Sequence, residues 1–330
     1  GEFGLPDAAL RQPHARLSRY LGPQAMEALN TAAVRDRVEA AIEWAGTPGC
    51  KIITLADTEY PRALLESGDP PALIYARGRA ELLDSVCLAV VGSRNATPQG
   101  CRDAHQFSEA FSRAGITIVS GLALGVDAAA HRGGLNAHGS TIAVLGTGVD
   151  VTYPRANAAL AAEIAERGLL VSEFPLGSSA LAHHFPRRNR VISGLSRGCL
   201  VVEAAVASGS LITARLAADQ GREVFAIPGS IHSPLSRGCH ALIKSGAKLV
   251  ESAEDVLSEI GVAAPIDSRK TVSADHDPLL ACMGADPLDL DSLSLRAGRD
   301  PQSVAADLLR LEMAGRVASL AGGLYQRLSR

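Results

Sequence analysis

Seven short apolar runs recur through the middle of this chain: Leu88–Val91, Ile116–Val119, Ile142–Leu145, Leu169–Val171, Leu200–Val202, Val224–Ile227 and Lys248–Val250. Stretches at helical spacing lie between them, such as Gln99–Ala114, Val126–Ala137, Ala156–Glu166 and Leu211–Asp219. The runs are continuous rather than alternating, so both faces of each strand must be covered. Strands that alternate with helices specify an α/β fold with a doubly wound, mostly parallel sheet. Right-handed crossovers then gather the loops after the strands on one rim. Two further strand candidates, Ile52–Leu55 and Leu73–Tyr75, precede the alternation in turn-rich sequence.

The first of the seven runs ends in Gly92-Ser93-Arg94. Dinucleotide folds place a glycine-rich turn here, with a helix N-terminus that holds a pyrophosphate. This chain places a permanent cation there instead. Ser120–Gly125, Gly146-Thr147-Gly148, Phe174–Gly177 and Ser208-Gly209-Ser210 follow other strands on the same rim. Glycine permits close backbone approach, and exposed amides ahead of a helix attract anions. Gly146-Thr147-Gly148 runs on into Val149-Asp150-Val151, so G-x-G-x-x-G is incomplete. The second strand ends at Ser120, where a ribose-binding acid would stand. No phosphate-loop lysine motif occurs.

The densest basic segment is His183–Arg190, with three guanidinium groups in four residues. It reads as a loop ahead of a short helix, Val191–Leu195. Arg155 follows Tyr153-Pro154, and Lys244 precedes Ser245-Gly246. Net charge is −3, from 32 basic and 35 acidic residues, so nucleic-acid binding must come from local clustering. A groove with such local cations suits the backbone of a single strand. Only 4% of residues are aromatic, which argues against a stacking platform and for hydrogen bonds and apolar pockets around bases.

Asp127 and His131 stand four apart on an expected helix and could touch, fixing that helix locally. No nucleophile lies at motif spacing, so no catalytic residue is assigned. His183-His184 lack a third ligand at zinc spacing. The six cysteines, Cys50, Cys87, Cys101, Cys199, Cys239 and Cys282, form no C-x-x-C pair and read as reduced structural thiols. No apolar run is long enough for a membrane span.

Four regions are expected. Residues 1–49 read as a helical segment, with Val34, Val38, Ala41, Ile42 and Ala45 on one face. Residues 50–260 hold the α/β domain. Residues 261–285, with Pro265 and Pro278, read as a linker. Residues 286–330 read as a winged helix. There Asp300-Pro301 starts a helix carrying Val304, Leu308 and Leu311, and Gly322-Gly323 joins a hairpin. This tail holds six acids and six arginines, and its main helix carries Asp307 and Glu312 beside Arg310. That balance favours protein contact or regulation over DNA reading.

Taken in order, several of these stretches resemble the DNA-processing protein A (DprA/Smf) family. They are Val90–Arg94, Ser120–Asp127 with His131, Thr141–Pro154, Phe185–Arg190, Val202-Glu203-Ala204 with Ser208–Ala214, and Phe225–Gly229. The likeness covers about residues 50–260. The tail resembles the winged-helix domain that many members carry. The front resembles, less specifically, a sterile-alpha-motif-like or helix-hairpin-helix segment.

The resemblance implies an extended Rossmann-like fold and a cytoplasmic homodimer that is not an enzyme and needs no cofactor or metal. Such a protein binds single-stranded DNA, protects incoming DNA in natural transformation and loads the RecA recombinase onto it. Arg94 would be the central phosphate ligand and Arg155 a second cation. Ser120, Gly121 and Ala123 would line the nucleotide pocket, flanked by Arg188, Asn189 and Arg190. Gly92, Ser93, Leu122, Arg187, Gly209, Ser210 and Lys244 complete the implied DNA-binding set. Dimerisation would use His240, Ala241, Leu242, Ile243 and Leu249. Periodicity alone fits ordinary helix-to-sheet packing there equally well. Some members carry a lysine just before Phe-Pro. Here Leu181-Ala182-His183-His184 precedes it, so His183 or Arg187 would supply that charge. The rival is a nucleotide-processing enzyme of the cytokinin-activating phosphoribohydrolase type. Its Pro-Gly-Gly-x-Gly-Thr loop and following glutamate are replaced here by Ser208–Thr213 and Ala214–Asp219.

Overall fold

The computed structural model describes residues 8, 11–28, 31–262, 277–284 and 286–328. β1 (Cys50–Thr54) and β2 (Leu73–Gly78) precede the strands formed by the seven apolar runs. Those are β3 (Cys87–Val91), β4 (Thr117–Ser120), β5 (Thr141–Val144), β6 (Leu169–Ser172), β7 (Gly198–Val201), β8 (Glu223–Ala226) and β9 (Lys248–Leu249). All nine form one sheet in the order β1-β2-β6-β5-β4-β3-β7-β8-β9. From β6 to β9 every pairing is parallel, whereas β2 runs antiparallel to both β1 and β6. Sequence alternation thus becomes the doubly wound, mostly parallel sheet that it specified.

Every residue of β3 through β7 is buried, as continuous apolar runs require. Successive side chains point to opposite faces. Cys87, Ala89 and Val91 meet Val191, Ile192 and Leu195 on one face, while Leu88 and Val90 join Ala104 and Phe111 on the other. Each fully buried aliphatic side chain contributes about 1.5–3 kcal/mol. The covering helices used below are α1 (Ala32–Ala45), α2 (Pro98–Arg113), α3 (Val126–Leu135), α4 (Ala158–Arg167), α5 (His184–Leu195), α6 (Ser210–Asp219) and α7 (Arg237–Lys244). The chain winds outward from β3 to β6, then returns to lay β7 on the other side of β3. Strand order therefore reverses between β3 and β7. Open α/β sheets bind ligands at such a point, outside the strands' carboxyl ends.

In the front segment, the expected apolar face of α1 is only partly covered. Ala41 is buried and Trp44 meets Tyr75 edge-on at 5.8 Å, but Val38 and Ile42 are 52% and 64% exposed. Periodicity marks a face without saying what covers it.

The tail folds as a winged helix. β10 (Leu288–Asp289), β11 (Val317–Leu320) and β12 (Leu324–Arg327) form a separate sheet beside α8 (Leu290–Ala297) and α9 (Pro301–Met313). Asp300 caps α9 by accepting the Ser303 amide. Of the expected linker, residues 263–276 and 285 lie outside the described residues. Pro278–Cys282 is instead a helix, and its Leu279 and Leu280 are buried in the winged-helix core. All six cysteines are free. Burial pushes the Cys87, Cys199 and Cys239 thiols up to about 12.

Candidate nucleic-acid interface

A cleft of about 880 Å³ opens where strand order reverses. Its floor is Gly92-Ser93-Arg94-Asn95, leaving β3. Gly92 has no room for a side chain, since a Cβ would lie 2.6 Å from Val126 Cγ2 and 2.9 Å from the Glu203 carbonyl oxygen. The Ser93 amide donates to that same carbonyl at 2.7 Å, tying the exits of β3 and β7 together. Ser93 Oγ then accepts the Asn95 amide at 3.1 Å. These bonds turn the chain sharply and send the Arg94 side chain into solvent. Its guanidinium lies over the Phe185 ring, 5.6 Å from the centroid. Among the described residues neither Arg94 nor Arg155 has a carboxylate partner. Arg155 is also exposed, in the turn after the β5 loop.

Gly209, Ser210, Ile212 and Thr213 form another wall. α6 starts at Ser210, and its first-turn amides are already held locally: Ser210 by Ser208 Oγ at 3.4 Å, Leu211 by the Ser208 carbonyl at 3.1 Å and Ile212 by the Gly209 carbonyl at 3.1 Å. Glu203 is a residue that spacing alone does not reveal. Its carboxylate accepts the Thr97 amide at 2.9 Å and the Thr97 hydroxyl at 2.6 Å, which anchors the start of α2. Burial pushes this carboxyl up, and the Thr97 bonds oppose the shift.

The loop after β4 differs from expectation. The amides of Gly121, Leu122 and Ala123 are already used. Asp127 accepts the Gly121 and Ala123 amides at 3.1 and 3.3 Å, and His131 Nε2 accepts the Leu122 amide at 3.2 Å. Asn157 donates to the Leu122 and Ala123 carbonyls at 2.9 and 3.1 Å. Arg188 donates to the Gly121 and Val144 carbonyls at 2.7 and 2.5 Å. A Cβ at Gly121 would lie 2.1 Å from Arg188 Nη1, so this contact requires glycine. Asp127 and His131 thus hold neighbouring amides of the loop rather than each other. Thr141 donates its hydroxyl proton to the Ile118 carbonyl at 2.9 Å, so His131 Nδ1 must donate to Thr141. The imidazole is therefore neutral, and burial lowers its pKa to about 3, with Arg188 and Arg132 adding to the shift. Burial also raises the Asp127 carboxyl, against Arg188 and the loop amides.

Consequently Ser120, Gly121 and Leu122 lie beneath the cleft, and only Ala123 of that loop lines it. Ser120 Oγ donates inward to the Val90 carbonyl at 2.7 Å. The basic segment is not a loop but the first half of α5. Helical geometry turns Arg188 inward and leaves Arg187 and Arg190, three residues apart, on a shared side beside Glu173. Arg188 is buried, which lowers its pKa to about 10. Arg190 pairs with Glu173 at 2.5 Å and Asp69 at 3.2 Å, and the exposed Arg187 reaches Glu173 at 3.2 Å. Asn189 lines the cleft and His183 is exposed. Lys244 ends α7, whose crossover from β8 to β9 carries it away from the rim to the sheet's other end.

Aromatic residues, sparse in the chain, gather here. Tyr153 and Phe185 lie 5.5 Å apart, and Phe174 stacks on His184 at 4.0 Å. The local signal was Tyr153-Pro154-Arg155 and Phe185-Pro186-Arg187, where aromatics abut cations. On the far edge, Leu242 and Ile243 pack against the core while Ala241 and Leu249 are exposed. His240 Nε2 lies 3.0 Å from the Gly229 carbonyl oxygen. In the winged helix, Arg299 pairs with Asp307, and Arg310 with Asp277. Among the described residues, no helix is long and apolar enough to cross a membrane.

Fold and site together define a Rossmann-like protein with an arginine-bearing cleft at its topological switch point, joined to a winged helix. Residues 51–261 match the family model for DNA recombination-mediator protein A, and residues 263–323 match the DprA winged helix domain. The chain belongs to the DprA/Smf family. It is 44% identical to protein Smf of Escherichia coli K12 over 308 residues, covering 90% of this chain and 82% of that protein. It is 48% identical to the DNA processing protein DprA of Streptococcus pneumoniae over 206 residues, covering 62% and 73%. The crystal structure of DprA from Streptococcus pneumoniae superposes with a TM-score of 0.66 at 42% identity, covering 77% of this chain and 85% of that one. DNA processing protein A from Helicobacter pylori, solved for its single-stranded DNA binding mode, gives 0.58 at 29% identity, covering 63% and 95%.

Proposed function

We propose that this protein is a recombination mediator that binds single-stranded DNA in the cleft after β3. It shields incoming DNA during natural transformation and passes it to the RecA recombinase. It acts in the cytoplasm as a homodimer joined along the β9 edge through the 240–249 region. The observation that carries this reading is Arg94, an exposed guanidinium at the switch point without a carboxylate partner among the described residues. A phosphate there would meet the guanidinium, whose planar fork suits bidentate hydrogen bonds to phosphate oxygens. Arg155 would take a neighbouring phosphate, and Phe185 and Tyr153 offer aromatic faces to a base. Binding rather than catalysis is supported by the state of the nearby carboxylates. Asp127 is bound to loop amides, Glu203 to Thr97, and Glu173 to Arg187 and Arg190.

The test is a salt series of single- and double-stranded DNA binding, with wild type and Arg94→Glu. Single-strand affinity should fall linearly on a log–log plot, because bound phosphates release counterions. Arg94→Glu should lose most of that affinity with its fold intact. Unchanged affinity would remove the site. Release of free base from AMP by the purified protein would favour the enzyme reading instead.

A further inference from the structure

Scattered exposed apolar side chains are ordinary in a soluble protein. Here their distribution is uneven. Of the fourteen large hydrophobic residues exposed among the described residues, six belong to the segments that leave β4 to β8 at the carboxyl rim. They are Leu124, Tyr153, Leu181, Val206, Ile212 and Ile231. Tyr153 and Ile212 line the cleft. Leu181 stands between the lining residues Ala180 and Ala182, Val206 between Ala205 and Ala207, and Leu124 directly after Ala123. Sheet order places five of them on the two sides of the strand that ends at Arg94. Leu124, Tyr153 and Leu181 follow β4, β5 and β6 on one side of β3, and Val206 and Ile212 follow β7 on the other.

A duplex presents phosphates outward and keeps its base faces stacked inside, so it offers this rim nothing apolar. An unpaired strand offers both a phosphate and free base faces within one nucleotide. We infer that the apolar rim holds the unpaired bases flanking the phosphate at Arg94, and that it is what selects single strands over duplexes. This inference rests on the proposed cleft reading. Continuity with that cleft supports the choice of occupant. The cation supplies the charge for a phosphate, and the apolar residues stand on both sides of it.

The experiment uses the full chain, three probes and two variants. The probes are a short oligothymidylate, a base-free deoxyribose-phosphate strand of equal length and a matched duplex. The variants are the double substitution Leu181→Ser with Val206→Ser, and Arg94→Glu. Both serines replace exposed side chains, so the fold should be retained, as checked by circular dichroism. Wild type should bind oligothymidylate roughly tenfold or more tighter than the base-free strand. The double variant should weaken oligothymidylate binding by roughly tenfold and leave base-free and duplex binding nearly unchanged. Equal weakening on both strands, or none on either, would overturn the inference. The second of these would leave the rim as a surface for a protein partner. Arg94→Glu separates the two readings. Loss on both strands upholds the phosphate site whatever the rim does, and no loss on either rejects that site directly.

Discussion

His131 Nε2 accepts the amide of Leu122 at 3.2 Å, and so fixes a non-glycine residue whose φ is +57°. The same ring donates through Nδ1 to Thr141, so protonating it would break the Leu122 bond. Its pKa is lowered to about 3 in the folded protein, against 6.5 for an unperturbed histidine. Between those values the unfolded chain binds more protons than the folded one, so stability falls as pH falls below 6.5. Taking the protein from pH 7.5 to pH 5.5 should cost about 1.4 kcal/mol through this residue. Asp103 acts in the opposite sense. Burial raises its carboxyl to about 6, so its contribution is lost as pH rises through that value. Urea denaturation of wild type and His131→Gln at both pH values isolates the histidine. The wild type should lose about 1.4 kcal/mol more than the variant. Equal losses would show that the ring titrates normally.

Arg188 and Arg187 are adjacent in sequence but should respond to substitution in different ways. Arg188 is buried beneath Gly121 and offsets the charge of Asp127. Arg188→Met should destabilise by about 3–5 kcal/mol, since it strands a buried carboxylate and two carbonyls. Arg187 is largely exposed beside Glu173, so Arg187→Ala should change stability by less than about 1 kcal/mol. Chemical denaturation of the two variants checks the contrast. Similar losses in both would mean that the arginines share one environment.

The sheet was readable because its signal is local. Seven continuous apolar runs leave little choice but strands covered on both faces, and the observed strands match them to within a residue or two. Gly92-Ser93-Arg94 was readable for the same reason, as a cation ending the first run. The environment of Ser120–Ala123 was not readable. Free amides and amides held by Asp127 and His131 have the same sequence, because the acceptors come from the next helix. The three arginines of α5 misled in a related way. Charge density in sequence becomes a free cationic patch only where the side chains stay exposed and unpaired, and here Arg188 is buried while Arg187 and Arg190 share the Glu173 carboxylate. The aromatic cluster was hidden by composition, since a low total says nothing about where the few rings meet.

Phe185 and Arg94 should contribute different parts of single-strand binding. The guanidinium lies over the ring, so each can hold a different portion of one nucleotide. Arg94→Ala should reduce the slope of log affinity against log salt by about 0.7, as expected when one phosphate contact to a single strand is lost. Phe185→Leu should weaken binding by about 1–3 kcal/mol with the slope unchanged, as loss of a stacking face requires. Anisotropy titrations across a salt series measure both quantities. A slope change in the Phe185 variant would mean that the ring acts by positioning Arg94.

The winged helix should contribute little to single-strand affinity. Three of its arginines are internally committed, with Arg299 on Asp307, Arg310 on Asp277, and Arg327 donating to the Leu280 carbonyl at 2.9 Å. Described contacts to the larger domain include the bond from Ser230 Oγ to Asp286 at 3.1 Å and the bond from Arg102 to the Gly315 carbonyl at 3.2 Å. Neither engages Arg94 or Arg155. Ending the chain at Val262 should therefore leave single-strand affinity within about twofold and the salt slope unchanged, because no phosphate contact is removed. A drop of tenfold with a shallower slope would place phosphate contacts on the tail. Retained affinity with impaired transfer of the strand to recombinase would instead mark the tail as a protein-contact domain, as its balanced charge suggests.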